Sequence, residues 1–119
     1  MALHGVSSGE LEIKSPADMF FKAFTDDVNG PFDKTAEDNT VTTDREKRTV
    51  TMVMSGCLIS ESYKTVKAIV TVTPKKHGSG GNVVWTVEFE KIRRDIKEPH
   101  FIIETLINYL KETDQDLRL

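Results

Sequence analysis

The chain has 119 residues, enough for one domain (1–119) built on a single core. Its 16 Lys+Arg are interspersed with 19 Asp+Glu, a net charge of −3, which argues against a nucleic-acid-binding face and against a polybasic membrane anchor. No segment has the apolar length to span a bilayer, MALHGVSSGELEIK lacks a signal peptide's hydrophobic run, and Cys57 has no partner for a disulfide, so the expected setting is cytoplasmic.

Residues 3–14 alternate loosely and predict a strand with Val6, Leu11 and Ile13 as its apolar members. Ser15-Pro16-Ala17-Asp18 then reads as a helix start, with Ser15 as N-cap and Pro16 at the first helical position. That helix carries Phe20, Phe21 and Phe24 and ends at Asn29-Gly30-Pro31. Residues 32–47 are polar; a strand over about 35–43 and a turn at 44–47 are expected. Residues 48–59 predict a strand with two uncharged faces, Thr49, Thr51, Val53, Ser55 and Val50, Met52, Met54, so both sides should be covered.

Residues 61–74 alternate again, with Val66, Ala68, Val70 and Val72 on one face. KKHGSGG (75–81) is a hairpin loop; it opens no helix and so is no phosphate cradle, and His77 within it should be solvated. Val83, Trp85, Val87 and Phe89 share one face of the next strand, with Glu88 and Glu90 on the other. After RRDIK, Glu98-Pro99 suits a helix's first turn, and Ile102, Ile103, Leu106, Leu110 and Leu117 recur at helical spacing. The order is strand, short helix, four strands, long helix: an α+β chain with an antiparallel sheet. His4, His77 and His100 are far apart without a Cys nearby, so neither a metal nor another cofactor is expected.

Three stretches carry a family resemblance: SPADMFFKAF; the hairpin of ESYKTVKAIVTVTP and GGNVVWTVEFEKI; and DIKEPHFIIETLINYLKETDQDL. They resemble the plant major latex proteins, in the superfamily of the birch pollen allergen and the pathogenesis-related class-ten proteins. The resemblance implies a helix-grip (START-like) fold, an antiparallel β-barrel around a long C-terminal helix, enclosing a cavity for hydrophobic plant metabolites. Some members carry ligands in defence responses, and others are alkaloid-pathway enzymes. The chain departs from that pattern between the first helix and RTVTMVMSG, where a short helix, strands and a glycine-rich loop have no counterpart. A shortened barrel would leave unpaired edges, so a homodimer, with exchanged strands as one route, is expected to complete it.

Aligned on the family pattern, Phe24, Thr51, Val53, Ser55, Val66, Ala68, Val70, Trp85, Val87, Phe89 and Ile102 would face the ligand, an alkaloid or steroid-like molecule. The same pattern puts Val50, Met52 and Met54 outside, as a partner surface. Periodicity by itself leaves cavity and filled core equally open. The reaction such a pocket supports most simply is a cofactor-free double-bond isomerisation of an alkaloid ketone by proton transfer. Candidate acids and bases are Asp26 and Asp27 at the end of the first helix and Glu98, His100 and Glu104 at the start of the last, with Tyr63 and Tyr109 as hydroxyl donors. Each has a plainer reading; Glu98, for example, is a favourable charge at a helix N-terminus. The alternative is a non-catalytic carrier or storage protein for hydrophobic metabolites.

Overall fold

The β4–β5 hairpin, Tyr63–Pro74 and Gly81–Lys91, is the middle of the molecule in a computed structural model that describes residues 4–29, 40–54, 63–76, 80–96 and 100–117. Around it the described residues form a five-stranded antiparallel sheet in the order β1-β5-β4-β3-β2. β1 (His4–Ile13) is one edge; β3 (Thr49–Met54) and β2 (Thr40–Asp44) complete the other side. Helix α1 (Ala17–Asn29) follows β1, and α2 (His100–Leu117) follows β5. This is the α+β order and antiparallel sheet that the sequence predicts.

Residues opposite one another in an antiparallel pair lie on the same face, so the registers define the inner surface. One row runs Gly9, Trp85, Val70, Val50, Thr43 and the next runs Ser7, Val87, Ala68, Met52, Val41. Val50, Val66, Val70, Val72, Val83 and Val87 on this surface are fully or almost fully buried. Each stabilises the fold by roughly 1.5–3 kcal/mol relative to exposure. β1 accommodates the large β5 rings with glycine: a Cβ on Gly9 would lie 2.6 Å from the Trp85 ring, and one on Gly5 2.4 Å from Phe89. The rings occupy the volume that side chains on the edge strand would need.

α1 buries Ala17, Phe20, Phe21 and Phe24, which recur at helical spacing on one face. It packs against α2, β4 and β2. Phe20 stacks on Phe24 with centroids 6.3 Å apart, and Phe24 meets the edge of the Tyr109 ring at 5.6 Å. The amide of Phe20 bonds to the carbonyl of Pro16, so the helix begins one residue later than a Ser15 cap implies. The turn between β2 and β3 closes on Arg48, whose φ of 48° is a left-handed conformation costing about 1 kcal/mol for a residue with a Cβ. From there Arg48 reaches Asp18 in the first turn of α1 at 2.7 Å.

The strand expected over residues 48–59 has its described part at Thr49–Met54, and its orientation is the reverse of the family-based expectation. Val50 and Met52 pair with Val70 and Ala68 and point inward, whereas Thr51 and Val53 pair with Ile69 and Lys67 on the outer surface. The more apolar of two uncharged faces is the one buried, as the hydrophobic effect requires. A partner surface built on Met52 is therefore ruled out.

Candidate functional site

Six of the predicted ligand-facing residues lie together on the inner surface: Val66, Ala68 and Val70 on β4, with Trp85, Val87 and Phe89 opposite them on β5. Their strict alternation with Lys67, Ile69, Thr86 and Glu88 is what places them there. Phe24 reaches the same core from α1, and Ile102 packs against it from α2. Thr51 and Val53 fall outside the site, as described above. Ser55 and Glu98 lie outside the described residues.

The start of β4 contributes a side chain that simple alternation misplaces. A register shift between Tyr63 and Thr65 leaves one extra residue on β4, a bulge that turns Tyr63 into the core while Lys64 and Thr65 stay exposed. Tyr63 then meets Phe89 edge-on at 6.0 Å, and the Lys91 ammonium sits 5.8 Å from the centre of that Phe89 ring. This end of the inner surface thus has an aromatic floor with a phenol beside it.

Helix α2 covers the surface unevenly. Ile103 and Leu110 are buried, but Ile102, Leu106, Ile107 and Tyr109 remain half-buried while packing on the core. The main backbone approach of α2 is to α1 rather than to any strand. Apolar side chains held at the margin of a core, on a helix whose backbone stands off the sheet, are a suitable lining for an apolar ligand.

The other end of α2 is tied down by a group that no motif singles out. Asp114 is buried, and its carboxylate accepts hydrogen bonds from the Ser15 hydroxyl at 2.6 Å and the Ser15 amide at 2.9 Å. The Lys14 amide donates to the same carboxylate at 3.2 Å, and the Ser15 hydroxyl also lies 3.1 Å from the Asp114 carbonyl. Ser15 is thus a fastener between the β1–α1 junction and α2. The available signal was an acid in the last turn of a helix, where the macrodipole disfavours it unless donors from elsewhere compensate.

The three acid–base candidates whose burial is described do not converge on the site. Asp26 is exposed on α1, and His100 and Glu104 are exposed on α2. Among the residues whose burial is described, Asp114 is the one carboxylate or imidazole that is buried, and its oxygens serve the fastening just described. No group of three or more His, Cys, Asp or Glu among the described residues could hold a metal ion. No described helix is long and apolar enough to cross a membrane.

Residues 29–118 match the model of the pathogenesis-related protein Bet v 1 family. The Arabidopsis thaliana uncharacterized protein At1g24000 is 43% identical over 115 residues, covering 97% of this chain and 94% of its own length. MLP-like protein 423 of the same plant is 28% identical over 151 residues, covering 98% and 96%. That alignment is longer than the 119 residues of this chain, so the relative carries residues that this chain lacks, whereas the match to At1g24000 is close to residue for residue. Among solved structures, major latex-like protein 151 of Panax ginseng superposes with a TM-score of 0.76 at 20% identity, covering 99% of each chain. That likeness establishes the fold.

Proposed function

The chain belongs to the pathogenesis-related protein Bet v 1 family, and from that premise we propose that it carries a hydrophobic small molecule between the inner face of its sheet and α2. The observation that supports this most directly is the half-buried row Ile102, Leu106 and Tyr109 facing the core. These side chains gain burial when an apolar ligand covers them, at about 25 cal/mol per Å² of area removed from water. The reading needs no metal or other cofactor. It places the protein in the cytoplasm, with a homodimer as the working unit and an alkaloid or steroid-like metabolite as cargo in a defence response.

The carrier reading is preferred to a double-bond isomerase of the neopinone isomerase type. Proton transfer requires an acid or base within hydrogen-bond reach of the ligand, about 2.6–3.2 Å. Asp26, His100 and Glu104 are exposed instead, and Asp114 is engaged at the opposite end of α2. Titration with a steroid or an alkaloid ketone, followed by Trp85 fluorescence, tests the binding. A saturable change is expected, because Trp85 is buried on the inner face. Unchanged emission with a compound that calorimetry shows to bind would remove the ligand from this surface. Following the same ketone by absorbance tests the choice between readings: a catalysed double-bond shift would replace the carrier with the isomerase.

A further inference from the structure

The two edges of the sheet differ in a way that points to a specific contact. The described part of β2, Thr40–Asp44, ends in an exposed acid, which discourages strand addition there. β1 is ten residues long, HGVSSGELEI, with no proline, lysine or arginine, and among the described residues only β5 pairs with it. Its charged residues, His4, Glu10 and Glu12, all lie on the outer face with Val6 and Ser8, and Val6 is 64% exposed. On the other face Gly5 and Gly9 leave their side-chain volume to the Phe89 and Trp85 rings, with the half-buried Ser7 between them. A long edge of this kind, with no second strand on it among the described residues, is a template for strand addition.

We propose that the β1 edge is the interface between two copies of this chain, paired antiparallel about Ser8 into one continuous sheet. This rests on the homodimer reading and specifies the surface. An isologous pair places residue i opposite residue j and j opposite i. In a continuous sheet opposed residues share a face, so the two numbers must sum to an even value. A sum of 16 overlaps residues 4–12 of each strand, with Ser8 facing Ser8, Val6 facing Glu10, and His4 facing Glu12 of the partner, a cation-capable group against an acid. A sum of 18 gives an overlap of the same length but sets His4 against Lys14 and Glu12 against Val6. A sum of 14 also sets His4 against an acid, Glu10, but overlaps only residues 4–10, so charge and overlap together select the first register. His4 already lies 3.3 Å from Glu90 of its own chain, and Glu12 bonds to Lys75, so the new contact joins two pairs already anchored on the sheet.

The test is cross-linking in a Cys57→Ser background. Directly opposed residues in an antiparallel pair have Cα atoms about 4.5–5.5 Å apart, within the range a disulfide spans. Ser8→Cys should therefore yield a covalent dimer under mild oxidation, and Val6→Cys, displaced from the symmetry axis, should not. Ser8→Lys, which sets two ammonium groups face to face at an exposed position, should convert the dimer to a folded monomer, read by sedimentation with circular dichroism as the check on folding. A parent protein that sediments as a monomer at micromolar concentration overturns both the interface and the homodimer. A dimer that Ser8→Cys fails to cross-link, or that Val6→Cys links instead, overturns this edge or register while leaving the homodimer standing. Neither result touches ligand binding, which the fluorescence titration reads separately.

Discussion

The two ends of α2 are built to different standards. Towards its C-terminus Leu110 is 0% exposed, Thr113 and Asp114 are buried, and the carboxylate is held by two backbone amides and a hydroxyl. Towards its N-terminus Ile102, Leu106 and Ile107 are half-buried, and His100, Glu104 and Thr105 face solvent. One end is a fixed joint with directional bonds; the other is an apolar seam whose contacts are non-directional. A helix fixed at one end can keep its place while the other end adjusts to ligands of different shape. That combination suits a carrier better than a catalyst, which needs its reacting groups held to within a fraction of an ångström.

Truncation on either side of that boundary should break the comparison if it is wrong. Leu110→Ala removes a fully buried side chain and should destabilise the protein by about 3 kcal/mol in denaturant unfolding. Leu106→Ala, only one helical turn earlier, should cost about 1 kcal/mol, because its side chain is already partly in water. The order should reverse for ligand affinity, which Leu106→Ala lowers more than Leu110→Ala does. Equal stability losses at the two positions would mean that the seam is as tightly packed as the joint. The next largest effect is expected at the joint itself. Asp114→Ala leaves the Lys14 and Ser15 amides without their acceptor and the Ser15 hydroxyl with only the carbonyl of residue 114, at about 2 kcal/mol. Hydrogen exchange should then rise at the last turns of α2 and at the β1–α1 junction together.

The same contrast accounts for what the sequence could and could not reveal. β4 and β5 were legible because each has one charged and one apolar face, so a period of two assigns every side chain. β3 has no charged face. Its orientation is decided by its register with β4, Val50 against Val70 and Met52 against Ala68, which is a long-range fact. There the plain rule of burying the larger apolar set was correct, and alignment on the family pattern reversed it. Tyr63 reaches the core through a bulge that alternation cannot express. Asp114 was missed because its partners Lys14 and Ser15 lie a hundred or so residues away along the chain, so only the oddity of an acid at a helix C-terminus hinted at it. Asp26, His100 and Glu104 have suitable chemistry and lie near helix ends, and neither property determines whether a side chain turns inward.

The smallest effect should come from a second carboxylate at the same end of the molecule, which separates burial from hydrogen bonding as the source of the joint's strength. Glu12 lies two residues before Lys14 and bonds to the ammonium of Lys75 across the sheet, but it is solvent-exposed. The hydrogen bond to Lys75, and then the charge of that ammonium, hold the Glu12 carboxyl below its ordinary value of 4.5. A depressed native value means that the contribution is present above the unfolded value and is lost as the pH falls through the native one. Lys75→Ala should accordingly lower stability slightly at neutral pH, and the difference from the parent should fade as the solution is acidified below pH 4.5. Solvent and salt screen the exposed pair, so added salt should shrink the difference as well. The loss in Asp114→Ala should persist in high salt, because its bonds are buried and short-range. If Lys75→Ala proved as damaging as Asp114→Ala, the strength of this end would lie in surface charge, and the buried joint would lose its special standing.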